Sequence, residues 1–197
     1  QVCSTTSCLP VRTLRMNAPG VAAVFAPGRD ALVTVDSECN LYEWDLRNGL
    51  CSQRVKEPWA TGVRCLAARS GQQPLLAVGT MSGNVDMLDL TAGKLPKEPF
   101  KSVDNLITAV KGVKFHTGGE LCAAFSEEMS DHVKLIHVQT MTSFQNWPGG
   151  KSNNQNLGTV SALDMARRGG LMAIGNKNGR VLLYKLRHYE LEQSSGL

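Results

Sequence analysis

A short run resembling the end of a phosphate-binding loop occurs late in the chain, where residues 149–152 read Gly-Gly-Lys-Ser. Such loops hold nucleotide phosphates with backbone N–H groups and a lysine. They need another glycine five residues before the second glycine of this run. That position is Gln145. The loop must also lie between a strand and a helix, whereas residues 148–156 are rich in Gly and Asn. We therefore interpret the run as a surface loop without a nucleotide site, in which Lys151 is a candidate contact for a partner.

Histidines and aspartates are the other side chains that could bind a metal or transfer protons. The histidines are His116, His132, His137 and His188. No two of them lie four residues apart beside a carboxylate, which is the spacing of zinc sites on helices. Asp45 and Asp89 each end an apolar segment, and we expect them to accept hydrogen bonds from the backbone or a neighbouring strand. The sequence thus predicts no catalytic residue, no metal and no cofactor, and hence a protein that is not an enzyme.

Basic residues concentrate near the end of the chain and could contact the phosphates of RNA. The set is Arg167, Arg168, Lys177, Arg180, Lys185 and Arg187. Arg167 and Arg168 fall in one predicted turn and Lys177 in the next, and consecutive turns of an antiparallel meander lie at opposite ends of the sheet. We therefore expect no continuous basic stripe. A solvated charged surface is the alternative to RNA contact.

Two tryptophans, Trp59 and Trp147, lie beside predicted connecting segments. An exposed aromatic side chain there could anchor a partner, and packing under a loop is the alternative. The candidate partner or RNA contacts are Trp59, Trp147, Lys151, Arg167, Arg168, Lys177, Arg180 and Arg187.

The elements that must position these side chains form a repeat. Four apolar segments align, at residues 41–46, 85–90, 133–138 and 181–186, and their starts lie 44, 48 and 48 residues apart. Each follows a second apolar run and a turn. This period is typical of WD repeats, in which each blade is a four-stranded antiparallel sheet. An immunoglobulin-like sandwich also has short strands but does not repeat a four-strand unit. The sequence predicts an all-β, WD40-type β-propeller with about four blades.

Outer strands are expected at residues 50–55, 99–103 and 141–147, with no such strand after the fourth unit. Residues 9–16 are expected to form an outer strand that lacks its own blade, which indicates part of a larger ring; a closed four-bladed ring is the alternative. Residues 1–20 are predicted to contain the outer strand of a preceding blade and its linker. Three blades are predicted at 21–60, 61–105 and 106–156, and the third includes a Gly/Asn-rich loop. The final blade is predicted at 157–190, and a tail at 191–197.

Only one of the four aligned segments carries the tryptophan of the WD signature, Trp44. Leu88, Ile136 and Tyr184 occupy the matching positions of the other three. We therefore expect apolar packing, rather than the usual side-chain hydrogen-bond network, to stabilise most of the blades.

The 197 residues carry a formal net charge of +4, with 42% hydrophobic and 19% charged residues. These values suit a globular domain and allow an anionic partner without requiring one. The six cysteines form no C-x-x-C pair, and we expect reduced, mostly buried thiols. The sequence shows no secretory leader and no apolar run long enough to span a bilayer. It therefore predicts a soluble intracellular protein without a membrane partner.

Several segments of the sequence are more specific than the generic WD repeat. They are residues 170–189 (GLMAIGNKNGRVLLYKLRHY), 126–129 (SEEM), 133–138 (VKLIHV), 144–148 (FQNWP), 15–17 (RMN) and 44–46 (WDL). In these segments the chain resembles the U3 small nucleolar RNA-associated protein 18 family, which consists of WD-repeat components of the small-subunit processome. The resemblance extends over residues 9–189.

The resemblance implies the C-terminal portion of a seven-bladed ring and a non-catalytic scaffold of the nucleolar small-subunit processome. Such a scaffold would support processing of 18S pre-rRNA and biogenesis of the small ribosomal subunit, in the nucleus and nucleolus. The implied partners are other processome proteins, especially WD-repeat subunits, with U3 small nucleolar RNA or pre-rRNA contacted directly or through them, and no small-molecule substrate. The alternative is a WD-repeat adaptor in another complex, such as a ubiquitin-ligase substrate receptor or a trafficking coat.

Overall fold

The computed structural model describes residues 1–56, 62–104, 106–148, 156–167 and 170–189. Their regular structure is almost entirely antiparallel β-sheet, with a single 3-10 turn at Arg187–Tyr189. The predicted all-β class is therefore confirmed.

The strands form one small hairpin and four larger sheets. The hairpin pairs β1 (Val2–Cys3) with β2 (Pro10–Arg12). Sheet I contains β3 (Gly20–Phe25), β4 (Ala31–Asp36), β5 (Asn40–Asp45) and β6 (Cys51–Lys56). Sheet II contains β7 (Val63–Arg69), β8 (Leu75–Thr80), β9 (Asn84–Asp89) and β10 (Lys101–Asp104). Sheet III contains β11 (Gly112–Phe115), β12 (Leu121–Phe125), β13 (Val133–His137) and β14 (Thr142–Ser143). Sheet IV contains β15 (Val160–Met165), β16 (Leu171–Asn176) and β17 (Val181–Lys185).

In every sheet each strand pairs with the next one along the chain, so the four sheets are simple meanders. The aligned segments of the repeat coincide with β5, β9, β13 and β17. The second strands β4, β8 and β12 are buried along their whole length. Short, continuous apolar runs of this kind are typical of strands covered on both faces. The regular spacing of the sequence thus places equivalent strands at equivalent positions in successive sheets.

The sheets stack on one another through their first strands and through apolar layers between them. β3 contacts β7, β7 contacts β11, and β11 contacts β15, whereas no comparable contact joins β15 to β3 in the described part of the chain. Val33 and Leu76 belong to the layer between sheets I and II, and Met87 and Ile136 to the layer between sheets II and III. All four are fully buried, and burial of each such side chain contributes about 1.5–3 kcal/mol. The arrangement is consistent with a β-propeller.

Residues 9–16 differ from the prediction of a lone outer strand. Only Pro10–Arg12 is a strand, and it pairs with Val2–Cys3 in the N-terminal hairpin. The Arg12 guanidinium donates hydrogen bonds to the backbone oxygens of Arg47 (2.5 Å) and Asn48 (2.7 Å), and Met16 packs near Trp44. The expected strand at 141–147 is likewise reduced to Thr142–Ser143, because the chain turns away from the sheet directly after Phe144.

Trp44, which carries the tryptophan of the WD signature, makes a side-chain hydrogen bond within sheet I. Its indole Nε1 donates to Thr34 Oγ1 at 2.9 Å. Leu88 and Ile136, at the equivalent positions of sheets II and III, are fully buried among apolar side chains. The expectation of apolar packing is confirmed for these two sheets.

The thiols are free, but the prediction that most of them are buried was wrong. Cys122 is buried, Cys39 and Cys65 are half-buried, and the others are exposed. The exposed ones are Cys3, Cys8 and Cys51. Two of these lie at the N-terminal hairpin and one on the outer strand β6, most of whose residues are exposed.

We expect alkylation to distinguish these thiols. Burial raises the pKa of Cys65 to about 11, and burial together with the neighbouring Cys65 raises the pKa of Cys122 still further. Because the thiolate is the reactive species, iodoacetamide at about pH 8 should label Cys3 and Cys8 quickly and leave Cys65 and Cys122 protected. Timed labelling with mass spectrometry measures this, with a urea-unfolded sample as the control in which all sites react. Labelling of native Cys122 as fast as Cys3 would contradict the described burial.

Candidate functional site

A groove lies where sheets III and IV meet, at one end of both. Its volume is about 650 Å³. Strand register brings its parts together: Leu121 at the start of β12 lies opposite His137 at the end of β13, and Lys185 at the end of β17 lies opposite Leu171. The strand ends and the residues that follow them therefore converge on this groove.

The floor of the groove is aliphatic. Leu121 and Leu135 belong to the buried layer between the two sheets, and the half-buried Leu186 packs against that layer. The sequence folds this way because alternate residues of β13 point to opposite faces, so that Leu135 and His137 lie on the same face. The groove thus continues the apolar layer out to solvent.

Aromatic rings form the walls. Trp147 contacts Tyr184 edge to face, with ring centroids 5.6 Å apart, and Phe144 contacts His137 in the same way at 6.3 Å. Burial, and then the charge of Asp131, raises the pKa of Tyr184 above its ordinary value. Phe144 keeps 45% of its surface exposed. The walls are held by the fold and remain accessible.

Tyr189 closes one end of the groove against a buried histidine. Its ring lies 4.0 Å from that of His116, which is only 3% exposed. The Gly118 backbone N–H donates to His116 Nδ1 at 3.0 Å, so this nitrogen is an acceptor. The 3-10 turn at Arg187–Tyr189 brings Tyr189 onto this ring.

The rim of the groove is mainly basic. Lys185, Arg187 and His188 line it on the sheet IV side and are exposed. Glu120 lines it on the sheet III side, with its Oε2 3.9 Å from His188 Nε2. Both members of this pair are well exposed, so their attraction is weak. A floor of carbon atoms under a basic rim is suited to binding.

Comparison with known proteins identifies the family. A scan of protein-family models finds no match. The U3 small nucleolar RNA-associated protein 18 homologue of Mus musculus is 30% identical over 182 residues, and that of Arabidopsis thaliana is 33% identical over 184 residues. The matches cover 91% of this chain and 32% of each relative. The Saccharomyces cerevisiae protein of that name is 29% identical over 178 residues, which are 82% of this chain and 30% of that protein.

The chain belongs to the U3 small nucleolar RNA-associated protein 18 family. It spans about a third of the length of these relatives.

Within this family member the predicted contact residues fall into separate groups. Trp147 and Arg187 line the groove. Arg167 lies in the turn between β15 and β16, at the same end of sheet IV as Arg187. Trp59, Lys151 and Arg168 lie outside the described residues.

Lys177 and Arg180 lie at the opposite end of β16, about 20 Å away at the usual rise of a strand. Lys177 Nζ donates to the backbone oxygen of Glu127 at 3.2 Å, which ties it to the long turn of sheet III. The basic residues of sheet IV are therefore divided, as the order of the turns predicted.

Other predicted roles can be compared with the contacts directly. Asp45 and Asp89 accept hydrogen bonds from the backbone N–H groups of Arg47 and Thr91, each at 2.8 Å, which agrees with the expected backbone role. The described residues contain no group of three or more His, Cys, Asp or Glu side chains arranged to hold a metal. In the same residues no helix has the length and apolarity that a membrane crossing needs.

Sequence reasoning missed Phe144, Tyr189 and His137 as parts of one site. Phe144 precedes Trp147 by three residues, and this spacing of aromatics in a turn-rich segment was the available signal. Tyr189 carried no such signal, because its position depends on the 3-10 turn and on the distant His116.

Proposed function

We propose that this chain is a non-catalytic scaffold in the nucleolar small-subunit processome, where it supports 18S pre-rRNA processing and small-subunit biogenesis. The observation that carries the proposal is the similarity, over 91% of the chain, to proteins named for their association with U3 small nucleolar RNA. The proposed partners are other processome proteins, especially WD-repeat subunits. Contact with U3 small nucleolar RNA or pre-rRNA would be made by these partners or by basic side chains such as Arg167, Lys177 and Arg180.

The proposed architecture is a portion of a seven-bladed WD40-type ring, with sheets I to IV as its blades. Three meanders of four strands and the succession of contacts between β3, β7, β11 and β15 support it, because propeller blades meet through their inner strands. The two end sheets also support it. Phe25 of sheet I and Val181 and Leu183 of sheet IV are 65%, 73% and 65% exposed, and further blades would cover such apolar faces.

A scaffold of this kind acts by position, since rigid loops around a ring can hold several partners at fixed distances. The groove between sheets III and IV, with its apolar floor and basic rim, is one such contact surface.

Affinity purification of the tagged full-length protein tests this proposal. We expect enrichment of U3 small nucleolar RNA and of processome proteins over an untagged control, with a nucleolar signal by microscopy. Depletion of the protein should cause precursors of 18S rRNA to accumulate. A functional tagged protein that recovers ubiquitin-ligase or coat subunits without U3 small nucleolar RNA would contradict the proposal.

A further inference from the structure

We propose that the groove between sheets III and IV binds an extended segment of a partner protein, in which a large apolar side chain is flanked by acidic residues. The apolar side chain lies on the floor and the carboxylates lie at the rim. This inference rests on the proposed scaffold role and names the chemistry of one of its partners.

The floor accounts for the apolar anchor. Leu121, Leu135 and Leu186 present carbon atoms at the bottom, and Trp147 and Phe144 stand beside them. A groove of about 650 Å³ is large enough for one or two large side chains of a peptide. Burial of such a side chain against these five residues removes apolar surface of both molecules from water, which favours binding.

The rim accounts for the acidic neighbours. Lys185, Arg187 and His188 surround the floor on one side, and Glu120, which already faces His188, is the carboxylate on the other. The rim is therefore net positive. An acidic residue beside the anchor would form charge-assisted hydrogen bonds with the exposed Arg187, whereas a basic residue would be repelled by this rim.

The same geometry disfavours a nucleotide. The leucines of the floor offer no hydrogen-bonding group to the polar edges of a base, so a base lying on them would depend on polar lining groups such as the Asn146 amide and the His137 ring. A strand of RNA would also need a basic track for its phosphates, yet Lys177 and Arg180 lie at the far end of β16.

The groove is preorganised. Trp147 is fixed by its edge contact with Tyr184, and Tyr189 by its contact with the buried His116. A rigid site binds a flexible segment with less loss of its own conformational entropy. These two contacts thus hold the groove in shape before a partner binds.

The test places a photo-crosslinking residue, benzoylphenylalanine, at Phe144 of the full-length protein in cells. Phe100, which is 52% exposed and lies outside the groove, is the matched control position. After irradiation, mass spectrometry identifies the crosslinked segment. We expect crosslinks from position 144 to an apolar residue with acidic neighbours, and no such segment from position 100.

The charge of the rim is tested in the same background. Arg187→Glu should lower the yield of this crosslink to about one fifth, as expected for loss of an exposed charge pair, and Arg187→Lys should preserve it. Crosslinks to RNA alone, to a segment without acidic residues, or to the same segment from both positions would overturn the proposal, as would the absence of any crosslink from position 144.

Recovery of U3 small nucleolar RNA from the same preparations separates the two proposals. If U3 small nucleolar RNA is recovered and the crosslink is absent, the inference about the groove is wrong and the scaffold role stands. If the acidic segment is crosslinked and U3 small nucleolar RNA is absent, the groove binds as proposed and the processome role is wrong.

Discussion

Gly83→Ala is expected to destabilise sheet II by about 3–5 kcal/mol, which combines backbone strain with a steric clash. Gly83 has a φ of +93°, a region that residues with a side chain avoid. A Cβ atom at this position would lie 2.0 Å from the backbone oxygen of Leu106. That oxygen belongs to the connection into sheet III, where the Leu106 N–H donates to the Gly83 oxygen at 3.2 Å. Relief of the clash would therefore disturb the junction between the two sheets.

Gly179→Ala is the matched control. Gly179 occupies the equivalent turn of sheet IV with a φ of +73°, and a Cβ atom there would meet no other atom within 4 Å. Only the backbone penalty remains, about 1–2 kcal/mol. Hydrogen exchange of the full-length protein, measured by mass spectrometry with added urea, should show faster exchange in β8 and β9 for the first variant and a smaller effect in β16 and β17 for the second. Equal effects would show that the Leu106 contact does not matter.

This pair also shows what the sequence can predict about the fold. The turns at Gly83 and Gly179 look alike in the aligned repeat, and both glycines have a positive φ. The contact with Leu106 is invisible in the sequence, because it depends on how the segment between sheets II and III packs. Periodicity thus predicts strands and turns, and contacts between connections need the three-dimensional structure.

The candidate groove illustrates the same division. Trp147 and Arg187 could be selected from residue type alone, and the separation of Lys177 from Arg167 follows from the reversal of direction at each turn of a meander. That Phe144 and Tyr189 line the same groove could not be predicted, because one follows β14 and the other ends a 3-10 turn beyond β17. Local sequence patterns contain no information about which ends of neighbouring sheets come together.

The strand within residues 9–16 is shorter than predicted, and most thiols are not buried, for a related reason. Apolar residues such as Leu9 and Val11 suggest burial, but both are more than 60% exposed at the edge of the described structure. The pairing of β2 with Val2–Cys3 uses backbone groups, which carry no signature in side-chain composition.

Asp36→Ala is expected to destabilise sheet I by about 3–5 kcal/mol at neutral pH. The carboxylate is fully buried at the end of β4. It accepts hydrogen bonds from the backbone N–H groups of Glu38 (3.0 Å) and Asn40 (2.9 Å), from the Asn40 amide and from the Tyr42 hydroxyl (2.8 Å). Alanine would leave several buried donors without a partner, and this is more unfavourable than the loss of one hydrogen bond between exposed groups.

The loss of stability should depend on pH. Burial alone would raise the pKa of Asp36, but the hydrogen bonds from Asn40, Tyr42 and Glu38 outweigh it and lower the pKa below its ordinary value. A carboxyl group whose pKa is lower in the folded state stabilises the fold fully above its unfolded pKa of about 3.9, and this contribution disappears as the pH falls through the lower, folded value. The difference between wild type and Asp36→Ala should therefore be largest near neutral pH and shrink below about pH 4.

Asp89→Ala provides the control for this pH effect. The pKa of Asp89 is also lowered, by its hydrogen bonds with the Thr91 side chain and backbone, but Asp89 is exposed at the end of β9. We expect a loss of about 1 kcal/mol or less for this variant. Urea unfolding of the full-length protein, followed by tryptophan fluorescence at several pH values, measures the free energy of unfolding of both variants. Trp44 reports directly on sheet I because it donates a hydrogen bond to Thr34, which lies on the same strand as Asp36. Two outcomes would contradict the prediction: a loss of stability for Asp36→Ala as small as that for Asp89→Ala, or a loss that is the same at acidic and neutral pH. Either would mean that the buried network does not stabilise the sheet through the charged carboxylate.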